Sequence, residues 1–228
     1  MKSIGAFYHC YIPDNYNSSL WHILIDEQLG AVEKSGLAKV ADVFICITMP
    51  VYWGMRYGNN ELFHEKVTNY IQYRYPFVNI LDVRDTGDEN IYEGQTLNQL
   101  RNYCIDNPEN SVLYFHTKGI TVNRVETKLW RNLLDEVMIN QWQQRYFDLK
   151  DCDCLGLSYR NTENDIQVFS GNYFWAKAEH VSKLKDPVCD DRYYYELWIH
   201  ENNPERKFIM DLSDRNMYDD IHIYGMMT

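Results

Sequence analysis

The chain has 228 residues, of which 45% are apolar and 24% charged, and this composition excludes a disordered or fibrous protein. Asp and Glu outnumber Lys and Arg by 33 to 22, and the net charge of -11 argues against a nucleic-acid-binding protein. No linker-like stretch interrupts the sequence, so we expect one domain over residues 1–228. An anionic ligand would need a local positive feature such as a lysine, a helix N-terminus or a divalent cation.

The sequence shows no sign of export or membrane insertion. The first residues lack the apolar run of a signal peptide, and no stretch approaches the roughly 20 apolar residues of a membrane span. The six cysteines lack CxxC spacing and are expected to be reduced, buried thiols. We therefore expect a cytoplasmic protein without a membrane span.

Strands and helices are predicted to alternate through the first two-thirds of the chain. Apolar runs predict strands at residues 4–8, 43–47, 77–81, 112–115 and 154–157, and helical spacing predicts helices at 20–32, 96–104 and 128–149. This alternation indicates an α/β domain with a mostly parallel sheet and helices on both faces. Such sheets bind their ligands at the carboxyl ends of the strands.

The pattern changes after residue 165. Residues 166–175 are predicted to form one strand that is interrupted by Ser170, Gly171 and Asn172, a combination typical of a bulge or bend. Short helices are predicted at 176–184 and at 191–200. The segment beyond Phe208 has no clear pattern and is left unassigned.

Two histidines, His9 and His116, lie at carboxyl ends of predicted strands. Each is either a hydrogen-bonded structural residue or a ligand-binding residue. After His116 come Thr117, Lys118 and Gly119. Lys118 provides the local positive charge that the chain as a whole lacks, and Gly119 would let a phosphate or sugar approach the backbone closely.

Acidic residues form two further candidate groups. Asp151 and Asp153 lie on one side of an extended segment, where they either bind a divalent cation or form a solvated acidic turn. The second group consists of Asp190, Asp191 and Glu196. In this group Glu196 either acts chemically or pairs with Arg192 one helical turn away.

Several common nucleotide-binding and catalytic motifs are absent. The chain has no GxGxxG, no GxxxxGK[ST] and no GxSxG. The usual sequence arguments for a dinucleotide-dependent oxidoreductase, a P-loop enzyme and an α/β-hydrolase therefore fail. No predicted strand ends in the DxDx[TV] pattern that would favour a phosphohydrolase.

Four segments occur in a characteristic order: YEGQTLNQLRNYCIDNPENSVLYFHTKGIT (92–121), WRNLLDEVMINQW (130–142), CDCLGLSY (152–159) and FSGNYFWAKAEHVSKL (169–184). With the first strand, residues 4–9, they resemble the small GT-A-type glycosyltransferases. That family is typified by the N-terminal domain of the chlorella virus enzyme that glycosylates the major capsid protein. The resemblance covers residues 3–200, and the FHTKG and FSGN-x-x-WA pieces are specific in combination.

The resemblance implies a GT-A fold and a glycosyltransferase activity. It implies a nucleotide-sugar-binding half over about residues 1–120 and an acceptor-binding half over about 121–228. A hexose or deoxyhexose would pass from a UDP- or GDP-linked donor to a hydroxyl of a glycan or glycoconjugate, usually with Mn or Mg on the diphosphate. A carboxylate would take the acceptor proton. The alternative is a non-catalytic carbohydrate- or protein-binding module with the same fold.

The resemblance also implies roles for individual residues. Glu196 is the expected catalytic base, with Asp191 as the second acid. Many GT-A enzymes have Asp-x-Asp where this chain has His116-Thr117-Lys118, so either Lys118 and His116 meet the diphosphate or a metal is held by Asp153 with His116. Trp175 either lines the donor site or packs in the core. The donor-binding residues are expected to be His9, His116, Thr117, Lys118, Gly119, Ser170, Gly171, Asn172 and Trp175.

Overall fold

Strand and helix alternate along the first half of the chain. The computed structural model describes residues 2–12, 21–50, 60–86, 93–117, 125–161, 166–187 and 192–211. The elements of the first half are β1 (Ile4–Tyr11), α1 (Trp21–Lys34), α2 (Leu37–Val40), β2 (Ala41–Pro50), α3 (Asn60–Arg74), β3 (Val78–Thr86), α4 (Gly94–Asp106) and β4 (Ser111–His116).

The second half begins with helices and continues with short strands. Its elements are α5 (Val125–Asp135), a π-helical turn (Glu136–Asn140), α6 (Trp142–Asp148), a 3-10 turn (Leu149–Asp151), β5 (Cys154–Asn161), β6 (Ile166–Phe169), a 3-10 turn (Ser170–Asn172), β7 (Phe174–Lys177), α7 (Ala178–Ser182), α8 (Arg192–Trp198) and β8 (Arg206–Asp211). The five predicted strands and the predicted bend at 170–172 are confirmed.

The eight strands of the described residues form one sheet in the order β3-β2-β1-β4-β7-β5-β6, with β8 pairing with β5. The pairs β1–β2, β2–β3, β1–β4 and β5–β8 are parallel, whereas β7 runs antiparallel to β4 and β5, and β6 antiparallel to β5. The predicted α/β fold with a mostly parallel sheet is thereby confirmed.

Apolar side chains cover both faces of the sheet, because alternate residues of each strand point to opposite sides. On one face, α1, α3, α5 and the π-helical turn pack against residues such as Tyr8, Ile45 and Phe115. On the other face, α4, α7 and α8 pack against residues such as Phe7 and Tyr114. The cysteines of the described residues are buried and unpaired, as predicted.

The helix predicted over 128–149 is divided in the structure. It begins at Val125 and passes through the π-helical turn, where the Gln141 amide bonds the Glu136 carbonyl five residues earlier. Three consecutive residues of the turn are buried, which one stripe of a regular α-helix does not allow. The turn also leaves the Met138 carbonyl to accept the indole N–H of Trp175 at 2.9 Å.

Three elements were not predicted from the sequence, and one of them, α2, is a single short helical turn. Helix α3 has a largely polar sequence whose apolar positions are few, and Leu62 and Tyr73 on it are exposed. Strand β8 forms because it pairs with β5, a contact between residues about 50 positions apart. Within the described ranges, no helix has both the length and the apolarity needed to cross a bilayer.

The topology determines where a ligand site can form. Strand β1 lies between β2 and β4. After β1 the chain forms β2 and β3 on one side, and it then returns to form β4 on the other side of β1. The carboxyl ends of β1 and β4 consequently lie side by side, with His9 opposite His116. In open α/β sheets, ligands bind in the crevice at such a switch point.

Candidate functional site

A row of polar side chains crosses the sheet at the level of the carboxyl end of β4. His116 of β4, His9 of β1, Cys46 of β2 and Asp82 of β3 are register neighbours, so their side chains leave the sheet on the same face. Both histidines are buried. Their predicted positions at neighbouring strand ends agree with the structure.

The first turn of α4 covers this row. The Thr96 hydroxyl lies 2.9 Å from His9 Nδ1, and the side-chain amide of Gln95 donates to the Asp82 carboxylate. The carboxylate of Glu93, the residue just before α4, lies over His116 with 3.5 Å between Glu93 Oε1 and His116 Nδ1. In the segment YEGQTL (92–97), Glu93 and Thr96 therefore contact the two strand-end histidines.

Glu93 is the carboxylate at the centre of the cluster. Its Oε2 atom accepts a hydrogen bond from the Tyr114 hydroxyl at 2.9 Å and another from Asn172 Nδ2 at 2.6 Å. Only 16% of the side chain is exposed. A carboxylate fixed by several hydrogen-bond donors has little freedom to move, so Glu93 is suited to orient its neighbours.

The predicted bend at 170–172 docks onto the same cluster. The Gly171 carbonyl accepts a hydrogen bond from His116 Nε2 at 2.5 Å, which identifies Nε2 as a protonated ring nitrogen. Gly171 and Asn172 have φ values of 67° and 53°, the left-handed region in which glycine is unstrained and asparagine is tolerated. Asn172 also donates to the Tyr195 carbonyl of α8, and Ser170 accepts from the Trp130 indole of α5 at 3.1 Å.

Thr117 closes the end of β4. Its amide donates to the His9 carbonyl at 3.2 Å, its hydroxyl donates to the Tyr11 carbonyl at 3.1 Å, and the Tyr11 amide donates to that hydroxyl at 2.9 Å. The strand end is thus fixed to β1 up to the residue before Lys118. Lys118 and Gly119 lie outside the described residues.

Burial controls the charge of His9. Desolvation lowers the pKa of His9 to about 4, with Glu93 raising it and His116 lowering it to smaller extents. His9 is therefore a neutral hydrogen-bonding partner of Thr96 at neutral pH. It contributes no positive charge to the site.

A second buried network lies behind the strand end, on the opposite face of the sheet. Asp135 of α5 is 3.4 Å from the Gln28 side-chain nitrogen of α1, and Tyr173 approaches both residues. Desolvation raises the pKa of Asp135 to about 7, although Gln28, Arg131 and Tyr173 each lower it in part. Asp135 is thus an acid that changes charge near neutral pH.

Replacing Asp135 by asparagine is expected to change the pH dependence of stability. The folded-state pKa lies above the unfolded value, so the native carboxyl binds a proton that the unfolded chain releases. The wild type therefore loses stability as the pH rises through 7. Relative to Asp135→Asn, its free energy of unfolding should fall by about 2.5 kcal/mol between pH 5 and pH 8.

Urea denaturation of the two proteins at several pH values measures this difference. Buried histidines such as His9 weaken both proteins equally in acid, so their effect cancels in the comparison. Parallel stability curves for the two proteins would contradict the assignment of Asp135.

The predicted metal pair does not form. Asp153 directly precedes β5, and β5 runs in the same direction as β4 because both are antiparallel to β7. The next residue, Cys154, pairs with Ala176, and Ala176 pairs with Val112 at the amino end of β4. Asp153 and His116 are therefore at opposite edges of the sheet.

The surroundings of Asp153 are those of a residue in a solvent-exposed turn. The side chain is 40% exposed, lies 3.9 Å from Lys177 Nζ and accepts the Glu205 amide at 2.9 Å. Asp153 therefore lies in a solvated acidic turn, which is the alternative to a cation site for Asp151 and Asp153. Across the described part of the chain, no three His, Cys, Asp or Glu side chains converge as metal ligands.

Trp175 belongs to the core and not to the polar cluster. It is fully buried beside Leu113, and its indole is bonded to Met138 on the face covered by α1 and α5. The side chain of His116 leaves the sheet on the other face. The expectation that Trp175 contacts a donor is therefore wrong, and the core alternative holds.

The expected base, Glu196, is partly exposed on α8. This helix reaches the cluster through its neighbour Tyr195, whose carbonyl accepts from Asn172 at 3.3 Å. Asp191 lies outside the described residues. The structure brings the helix of Glu196 to the site, while the base role of Glu196 stays a prediction.

Sequence analysis missed Glu93, Thr96 and Tyr114 as members of the cluster. Thr96 is the first residue of the helix predicted at 96–104, and Tyr114 lies inside the strand predicted at 112–115. The available signal was the two-residue spacing that places Tyr114 and His116 on one face of β4. Glu93 and Thr96 lie in the YEGQTL piece of the resembling segments, but that piece does not show that the partners of Glu93 are about 20 and 80 residues away in the chain.

A family model described as "Domain of unknown function (DUF8361)" matches residues 7–193. The chain belongs to this DUF8361 family. Every residue of the polar cluster, from His9 to Asn172, lies inside the matched range. The family description names no activity, so the resemblance to the capsid-glycosylating enzymes stays a prediction. No curated protein matches the DUF8361 chain in sequence.

Two solved structures share the general layout of this DUF8361 chain. One is 4-diphosphocytidyl-2C-methyl-D-erythritol synthase from Anaerococcus prevotii DSM 20548, with a TM-score of 0.45, 12% identity, and coverage of 99% of this chain and 96% of that one. Another 4-diphosphocytidyl-2C-methyl-D-erythritol synthase has a TM-score of 0.41 and 13% identity, with coverage of 100% and 98%. At these values the two enzymes carry no information about what this chain does.

Proposed function

We propose that the protein is a glycosyltransferase that uses a UDP- or GDP-linked sugar and acts on a hydroxyl of a glycan or glycoconjugate. One observation carries the proposal. The strand end FHTKG and the bend FSGN, both of which the resemblance assigns to donor binding, meet through the hydrogen bond from His116 to Gly171. They are about 50 residues apart in the chain, and Glu93 contacts both.

The residues of the cluster have different proposed roles in donor binding. Glu93 orients His116 and Asn172, and the bonds of Thr117 to β1 hold the strand end steady. Lys118 is the next residue, and its ammonium group is the proposed partner of the donor's diphosphate. A fixed strand end reduces the entropy that Lys118 would lose on binding.

The proposal includes no step through a metal. Mn or Mg would offset the charge that develops on a leaving diphosphate. Such ions are commonly held by one or two carboxylates together with the phosphates themselves, and the proposed charge partner supplied by this chain is Lys118. Mn and Mg are therefore variables of the binding experiment.

Nucleotide binding tests the proposal directly. We expect UDP or GDP to bind the wild type, measured by calorimetry and by the rise in melting temperature, with and without Mn or Mg. Lys118→Ala should weaken that binding about 10- to 100-fold, the loss of one charge-assisted hydrogen bond. The matched control Lys150→Ala removes the same charge from an exposed site just before β5 and should bind like the wild type. Equal binding by both variants would contradict the role of Lys118.

Turnover separates the enzyme from the binding module. With a nucleotide that binds, the corresponding nucleotide sugars are tested for hydrolysis and for transfer. Glu196→Gln should bind the nucleotide like the wild type and turn over at least about 100-fold more slowly, the size of a general-base effect. Binding without turnover of any donor would favour the module, and absence of binding to every nucleotide would reject the proposal.

A further inference from the structure

The backbone carbonyl of His116 is held from the face opposite its ring. It accepts hydrogen bonds from the Tyr173 hydroxyl at 2.6 Å and from the Gln28 side-chain nitrogen at 3.1 Å. Both donors are completely buried. The ring and the carbonyl of one strand-end residue are thus held by separate elements, so His116 has little freedom to move.

Asp135 belongs to the same network. Its Oδ1 atom is 3.4 Å from the nitrogen of Gln28, and it also interacts with the Tyr173 hydroxyl. Arg131 of the same helix donates twice to Glu27 of α1, at 2.8 and 3.2 Å. Burial disfavours the ionised form of Asp135 more than Gln28, Arg131 and Tyr173 favour it.

The number of protons in the network limits its hydrogen bonds. Tyr173 has one proton, and it is directed either to the His116 carbonyl or to Asp135. A protonated Asp135 carries a donor of its own and leaves the Tyr173 proton on the carbonyl. An ionised Asp135 only accepts, and it attracts the protons of Tyr173 and Gln28 away from the carbonyl.

We propose that Asp135, Gln28 and Tyr173 are positioning residues that hold the His116–Thr117 peptide in place when Asp135 is protonated and release it when Asp135 is ionised. The positioning itself follows from the contacts of these residues. Its functional consequence rests on the proposed function, because this peptide leads directly to Lys118. Donor binding should then weaken as the pH rises from 6 to 8.

The titratable groups that face Asp135 are Arg131 on its own helix, Glu27 on α1, Tyr173 before β7 and Tyr8 on β1. Although burial opposes it, the contact with Glu27 raises the pKa of Arg131, so Arg131 stays cationic. Burial raises the pKa of Tyr173 and of Tyr8, which faces Asp135 from β1, well above the ordinary value. Glu27 is paired with Arg131 and with Lys128. Asp135 is accordingly the group expected to respond.

The experiment uses a feature of the sequence. His116-Thr117 is the only His-Thr pair in the chain. Labelling histidine carbonyl carbons with ¹³C and threonine nitrogens with ¹⁵N therefore gives one NMR signal that reports the peptide between them. We expect this signal to titrate in the wild type with a midpoint near pH 7 and to be constant in Asp135→Asn. A constant signal in the wild type would overturn the proposal.

The variants separate this explanation from others. Titration of the His116 ring would persist in Asp135→Asn, so an unchanged midpoint there would also overturn the proposal. Tyr173→Phe removes the donor and should abolish the titration even if Asp135→Asn does not fold. Tyr103→Phe is the matched control, because it removes a partly buried hydroxyl that accepts from Asn110 near the amino end of β4, and it should titrate like the wild type.

Nucleotide affinity gives the second measurement. The affinity of the wild type for UDP or GDP should fall about threefold to tenfold from pH 6 to pH 8, and that of Asp135→Asn should not change. If no nucleotide binds at any pH, the proposed function fails while the NMR titration still decides the positioning role. An affinity that falls equally in both proteins would overturn the link between Asp135 and donor binding.

Discussion

Replacing Glu93 by alanine is expected to lower the free energy of unfolding by about 4 kcal/mol. The carboxylate accepts hydrogen bonds from Tyr114 and Asn172 and faces the ring of His116. Its removal leaves buried donors without an acceptor, and each such loss costs about 1–3 kcal/mol. Asn172 has a φ of 53°, a conformation that its contacts help to hold, so the bend would lose one of those contacts with Glu93.

Glu93→Gln separates the loss of the hydrogen bonds of Glu93 from the loss of its charge, and a second variant is the control. Glu93→Gln keeps a carbonyl oxygen for Tyr114 and Asn172 and should lose about 1 kcal/mol. Glu65→Ala, on the exposed side of α3, is the control and should leave stability nearly unchanged. Urea denaturation monitored by circular dichroism measures all three. A Glu93→Ala protein as stable as the Glu65→Ala protein would show that the cluster does not form.

Gly94→Ala is expected to destabilise the protein by about 3 kcal/mol, because the start of α4 has no room for a side chain. A Cβ atom there would lie 2.7 Å from the Tyr195 hydroxyl and 2.9 Å from the Pro187 carbonyl. The carbonyl belongs to the backbone and cannot turn away. The first turn of α4 would have to shift, and with it Glu93 and Thr96, so nucleotide binding should weaken as well.

The matched control is a glycine in another helix that has free space beside it. At Gly30 of α1 the nearest atom to an added Cβ, the Tyr75 hydroxyl, is 3.9 Å away. Gly30→Ala should stabilise the protein by up to about 1 kcal/mol, because alanine favours a helix interior. Thermal and urea denaturation of both variants tests this. Equal effects of the two substitutions would contradict the close contact between α4 and α8.

The fold was largely predictable because its signal is local. Strands such as β1 and β4 are continuous apolar runs, as expected for strands buried on both faces, and helix α4 shows its apolar stripe directly. The bend at Ser170–Asn172 was marked by Gly171. Helix α3 and β8 were missed because their formation depends on contacts with distant segments, which sequence periodicity does not record.

The candidate site was predictable only in part. The strand-end rule located His9 and His116, since the carboxyl ends of parallel strands meet at one edge whatever their order. The same rule could not exclude Asp153, whose strand has its amino end at the edge opposite His116. It could not exclude Trp175 either, because the face of the sheet to which Trp175 points depends on pairing with β4.

The sequence by itself determined the α/β class, the four strands of the first half and the two strand-end histidines, because each follows from neighbouring residues. Only the tertiary structure decided that Glu93 joins His116 to Asn172 and that Asp135 and Tyr173 stand behind the same peptide. Those contacts connect residues 23 to 79 positions apart in the chain. The order of the strands and the burial of side chains determine such contacts, and no local sequence pattern records either of them.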